Sequence, residues 1–140
     1  MVDLPRRIAA ERENVEKTLA DLAEALARQE KQTVELAAIG AFLHNFYSGI
    51  ENILKQISRD RGTVIPDGPS WHKDLLDAAA TAGIVSQSVA DDLYEYLAFR
   101  HFFVHAYTFM LNEEDLLPLA NNAPQVWCRF IDAVETGNPE

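Results

Sequence analysis

Thr33-Val34-Glu35-Leu36-Ala37-Ala38-Ile39-Gly40-Ala41-Phe42-Leu43-His44-Asn45-Phe46-Tyr47-Ser48-Gly49-Ile50-Glu51-Asn52-Ile53-Leu54-Lys55-Gln56-Ile57-Ser58-Arg59-Asp60 decides the fold. Ile39, Leu43, Phe46, Ile50, Ile53 and Ile57 recur at alternating four- and three-residue steps, the period of a helix that buries one face. Leu36, Phe42, Tyr47 and Leu54 widen that stripe, so the helix is expected to be covered on more than one side. It is either the centre of a bundle or a helix shared with a second copy.

Other helices follow on both sides. Ile8, Val15, Leu19, Leu22 and Leu26 predict a first helix from about Pro5 to about Gln29, with Glu13, Lys17, Asp21 and Glu24 on its wet face. The run from Arg61 to Ser70, rich in Gly and Pro, reads as a loop. Ser70 is placed to cap a short third helix that turns Trp71, Leu75, Leu76 and Ala79 inward and stops at Gly83. Ser86 or Ser88 caps a fourth helix, with Asp91 and Asp92 near its positive end. Asn112-Glu113-Glu114-Asp115 starts a last helix carrying Leu116, Leu119, Ala123, Trp127, Phe130, Ile131 and Val134. Pro124 inside it predicts a kink or restart, and Cys128 is expected to be a reduced packing residue. The expected fold is all-α, an up-and-down bundle of four to five helices forming one domain over 1–140.

Composition narrows the classes. With 48% hydrophobic and 24% charged residues the chain can fill a core. No window approaches the roughly 20 apolar residues of a membrane span, and the start lacks the apolar run of a secretory signal. A lone Cys128 excludes an intrachain disulfide, and the cytoplasm is the expected location. The net charge of −10 opposes extended tracking along nucleic acid, though not an enzyme that grips one or two phosphates. Lys55, Arg59, Arg61 and Lys73 form the visible basic cluster.

The fourth helix holds the chemistry. Val89, Leu93, Tyr96, Leu97, Phe103 and Val104 fall within an arc of about 120°, and Arg100 lies near its middle. Such an arginine must snorkel, pair with an acid such as Glu51, or face a cleft. Tyr94, His101 and His105 form a neighbouring stripe. Metal binding at these imidazoles would need further ligands, and His44 and His72 sit on other elements, so no metal and no cofactor is expected. Arg100 and His105 lie about 140° apart on a regular helix. They converge only if the helix frays near His105 or if two copies meet.

Arg100-His101-Phe102-Phe103-Val104-His105-Ala106-Tyr107 has the form R-x4-H-x-Y at the end of a helix. It resembles the signature of the HEPN superfamily, and the tyrosine makes it similar to the HepT toxins of HepT/MntA toxin–antitoxin pairs. Tyr47-Ser48-Gly49-Ile50-Glu51-Asn52-Ile53-Leu54 and Trp71-His72-Lys73-Asp74-Leu75-Leu76 share the likeness, which runs from the second helix onward. The resemblance implies a homodimer whose two motifs line one cleft. It implies metal-independent RNA cleavage by the ribose 2′-OH, with Arg100 and His105 catalytic and His101 supporting or orienting the substrate. It also implies an MntA-like nucleotidyltransferase antitoxin that places AMP on Tyr107.

The residues suit that chemistry. An imidazole titrates near ~6.5 and can move protons between hydroxyl and phosphate oxygens. In a dimer two copies of His105 could divide the base and acid roles. A guanidinium binds phosphorane oxygens in pairs while staying charged. The competing expectation is a non-catalytic helical subunit that holds substrate for a nucleotidyltransferase.

Overall fold

In the computed structural model, which describes residues 3–105 and 111–136, five helices and no strands occur among the described residues. They are α1 (Leu4–Leu26), α2 (Thr33–Asp60), α3 (Trp71–Thr81), α4 (Gln87–His105) and α5 (Glu113–Thr136). The all-α expectation holds, and α2 has the bounds its periodicity predicts. Chain direction alternates between packed neighbours. Arg7 reaches Asp60 while Val15 packs at Gly49, so α1 and α2 run antiparallel. Gly40 meets Phe103 and Phe46 meets Tyr96, so α2 and α4 do likewise. Four long helices thus form the bundle, and α3 braces α2 and α4 from the side.

The wide stripe on α2 has its explanation in this arrangement, because α2 packs against all four other helices. Ile39, Phe46, Ile50 and Ile53 are fully buried, and each such side chain contributes about 1.5–3 kcal/mol on removal from water. Gly49 lets α1 approach closely. A Cβ built there would lie 2.3 Å from Val15 Cγ2, closer than atoms can stand.

The helix ends are set by local polar groups. Asp3 accepts from Arg6 N at 3.1 Å and starts α1. Glu35 reaches back to Gln32 N at 3.0 Å at the start of α2. Ser86 accepts from Val89 N at 3.1 Å and Asn112 from Asp115 N at 3.0 Å, as expected of caps. Ser70 does not cap α3; its hydroxyl donates to Asp74 Oδ2 instead, at 2.9 Å. Gly83, at φ +75°, closes α3 in the left-handed region that side chains avoid.

Three further expectations need correction. Helix α5 does not restart at Pro124 but stays helical through both Pro118 and Pro124. Each proline costs about 3 kcal/mol inside a helix, a local cost outweighed by the buried stripe of Leu116, Ala120, Ala123, Trp127, Phe130 and Ile131. Cys128 is an exposed free thiol, because it stands beside that stripe rather than on it. Val104 is 52% exposed, on the edge of the arc toward His101, while its neighbour Phe103 still packs at Gly40 on α2.

Candidate functional site

A face of α2 presents Tyr47, Glu51 and Lys55 at four-residue steps, which stacks them one above another. Tyr47 and Glu51 are buried and Lys55 is half-buried. The start of α3 brings Trp71 and His72 against this face, and α4 brings Tyr94 and Arg100.

Glu51, 3% exposed, is the centre of the cluster. Burying a carboxylate without a partner is expensive, and Glu51 has two. His72 Nδ1 lies 2.7 Å from Oε2. With that carboxylate ionised it can only accept, and the donor is then the imidazole Nδ1–H. On the other side Arg100 Nε stands 3.9 Å from Oε1. That distance is an ion pair but too long for a hydrogen bond, and the buried Nε has no hydrogen-bonding partner among the described residues. The Tyr47 hydroxyl, also buried, is likewise without one. Burial drives the Tyr47 phenol far above its ordinary value; nearby Glu51 and Tyr94 push the same way, and Arg100 opposes them. Tyr94 donates to Asp77, and that bond, with burial second, pushes its phenol up to about 12. By contrast the buried Tyr96 hydroxyl is satisfied, donating to Leu119 O at 2.7 Å.

Arg100 therefore sits where the apolar arc predicts, half-buried and turned toward α2. His101 and His105 occupy another face. Both are exposed, and their rings lie 4.6 Å apart. Helix α4 stays helical through His105, so within one chain fraying before that residue does not bring its imidazole to Arg100. Tyr107 lies outside the described residues. Phe103 turns inward against His44 and Phe99, with ring centroids 5.8 and 5.7 Å away, while Phe102 is 40% exposed. The end of α4 thus offers two imidazoles among exposed apolar side chains.

Sequence reasoning named Glu51 as a partner for Arg100 but missed the tighter Glu51–His72 link. The signal was available in part, since an acid at position 51 falls among Ile50, Ile53 and Leu54 and has to be compensated. Which group would compensate it depends on how α3 docks.

A family model described as "HepT-like protein" matches residues 38–136, a span that contains Glu51, His72, Arg100, His101, His105 and Tyr107. No curated protein matches the sequence. A solved structure described as "Crystal structure of the toxin-antitoxin with AMP-PNP" superposes with a TM-score of 0.81, covering 94% of this chain and 98% of that one. At 15% identity that likeness establishes the shared fold.

Proposed function

The chain belongs to the HepT-like protein family, and from that premise we propose that it is the toxin of a toxin–antitoxin pair, a homodimeric endoribonuclease that cleaves RNA without a metal ion. The observation that carries this reading is a half-buried guanidinium on the helix whose exposed end bears His101 and His105. Two copies joined at the ends of α4 would line one cleft with two sets of these groups. The exposed Phe102 and Val104 give that junction apolar surface to bury.

In the reaction a ribose 2′-oxygen attacks the adjacent phosphorus and its proton passes to one His105. The 5′-oxygen leaves, taking a proton from the other His105. Arg100 neutralises the extra charge on the phosphorane oxygens through its partly exposed guanidinium. The products are a 2′,3′-cyclic phosphate and a 5′-hydroxyl. His101 orients the substrate.

The partner would be an MntA-like nucleotidyltransferase. The fold neighbour is described as a toxin–antitoxin with AMP-PNP, an ATP analogue, which supports an antitoxin that uses ATP. In the transfer the Tyr107 oxygen attacks the α-phosphorus of ATP, pyrophosphate leaves and the phenolic proton goes to solvent. The added phosphate would repel RNA from the cleft.

Expression of the chain alone tests the reading. Growth arrest should be relieved by Arg100→Ala and by His105→Ala, each cutting RNA cleavage by about 100-fold or more. Equal arrest by all three proteins would overturn it. A second reading, a non-catalytic subunit that holds substrate for a nucleotidyltransferase, is favoured by one observation: Arg100 already faces the carboxylate of Glu51. That reading expects no arrest from the wild-type chain.

A further inference from the structure

Beside the Glu51 cluster, Lys55, Arg59, Ile65, Pro66, Asp67 and Trp71 line a surface groove of about 330 Å³. That volume is at the small end of ligand pockets, suited to a single base rather than a large molecule. Its wall chemistry is unusual for this chain. The net charge is −10, yet two cations and an aromatic ring share this wall with a single carboxylate, Asp67. Six of the 12 Lys and Arg residues (Arg7, Arg12, Lys17, Lys73, Arg100 and Arg129) face a carboxylate within 4 Å. Among the described residues no carboxylate pairs with Lys55, Arg59 or Arg61, which all lie at the C-terminal end of α2.

Packed side chains link the groove wall to Arg100 through the buried Glu51. Trp71 adjoins His72, His72 touches Glu51, and Glu51 faces Arg100. At about 1.5 Å rise per residue, Lys55 and Arg59 stand roughly 6 and 12 Å beyond Glu51 along α2. A strand whose phosphate sits at Arg100 would pass next over these two cations.

We propose that this groove binds one nucleotide of single-stranded RNA next to the scissile phosphate, with its base stacked on Trp71 and its phosphate held by Lys55 and Arg59. In the free protein the Lys55 ammonium covers the indole, 3.9 Å from its centroid. The ammonium and a base compete for the same face of the half-buried ring, and the base displaces the ammonium, which swings to the phosphate. Asp67 repels a phosphate on its own side of the groove and accepts from a base amine. The proposal deepens the ribonuclease reading and rests on it.

The test uses the full chain carrying His105→Ala, so that RNA binds without being cut, and follows tryptophan emission. Trp71 is half-buried and reports stacking, whereas Trp127 is 4% exposed and stays constant. A short unstructured oligoribonucleotide should quench Trp71. Lys55→Gln with Arg59→Gln should weaken binding roughly tenfold and lower the salt slope by about 1–2. Trp71→Ala should weaken it roughly tenfold, and Trp71→Phe, which keeps an aromatic face, by much less. Unchanged affinity in the double variant, or equal losses in Trp71→Phe and Trp71→Ala, overturns the groove. Quenching by AMP or ATP alone as strong as by the oligomer also overturns it, in favour of a free-nucleotide site. Cleavage by the protein with His105 intact is measured separately: cutting that is indifferent to Lys55, Arg59 and Trp71 sinks this proposal alone, and binding without any cutting sinks the ribonuclease reading.

Discussion

Glu51 and Arg100 face each other across the α2–α4 seam at 3.9 Å, while the second oxygen of the same carboxylate lies 2.7 Å from His72. The two contacts are unequal in energy. A hydrogen bond to a charged group contributes about 1.5–3 kcal/mol, whereas an ion pair without hydrogen-bonding geometry and with a partly exposed cation falls toward the ~0–1 kcal/mol of surface pairs. Double-mutant cycles should therefore give a larger coupling for Glu51→Leu with His72→Leu than for Glu51→Leu with Arg100→Leu. His72→Leu alone should also destabilise more than Arg100→Leu, since it leaves Glu51 with the weaker partner. Urea midpoints in the opposite order would show that Arg100 is the main counter-charge of Glu51, and hence less free to act on a phosphate.

Gly49 and Gly40 both lie on α2, but the atoms opposite them differ. At Gly49 a new Cβ would strike the fully buried Val15 at 2.3 Å; at Gly40 it would meet the outer edge of the Phe103 ring at 2.8 Å. Overpacking costs about 1–3 kcal/mol, while alanine in a helix gains about 1 kcal/mol over glycine. Gly49→Ala should thus lower Tm by several degrees, because β-branched Val15 has little room to turn. Gly40→Ala should change Tm little, since the half-buried ring can tilt. Calorimetry showing equal effects at the two positions would contradict this account of the α1–α2 contact.

What could be read in advance follows from the range of each interaction. Helix α2 was legible to its terminal residues because burial of Ile39 through Ile57 is periodic in the chain itself. Helix α1 ends at Leu26 rather than near Gln29, since Arg28, Gln29 and Glu30 have no face to bury. The arc on α4 gave the placement of Arg100 correctly, and of Leu93 and Tyr96, but it could not say how wide a strip the neighbouring helices cover, so Val104 was placed wrongly. The Glu51–His72 bond joins residues on two helices separated by the loop before Ser70. Local pattern carries no information on that docking, and the same holds for the groove at Trp71.

The tyrosines give a pH dependence. Burial pushes Tyr47 and Tyr96 above their ordinary value, and the bond to Asp77 pushes Tyr94 up to about 12. A folded value above the unfolded one, near ~10, means the stabilisation is complete below pH ~10 and disappears as pH rises through the folded value. Urea midpoints should hold steady up to pH ~9 and fall between ~10 and ~12. Lys73 is also raised through its bond to Asp77, so the contribution of Tyr94 is isolated by difference. Tyr94→Phe should be less stable than wild type at pH 8, with the gap narrowing toward pH ~12. A gap that stays constant across this range would mean the Tyr94–Asp77 bond does not favour the neutral phenol.

A final prediction separates a shared cleft from two independent ones. On a helix regular through His105, Arg100 and His105 point about 140° apart, so one chain alone does not present both to one phosphate. If two copies of His105 serve as base and acid in one cleft, a dimer with a single intact His105 is as inactive as one with none. Wild-type protein co-refolded with increasing His105→Ala should then lose RNA cleavage as the square of the wild-type fraction, leaving about a quarter at equal mixing for random pairing across an isologous interface. Native mass spectrometry confirms that the mixed dimers have formed. A linear loss, leaving about half, would mean that each chain acts with its own His105, and the composite cleft would have to be abandoned.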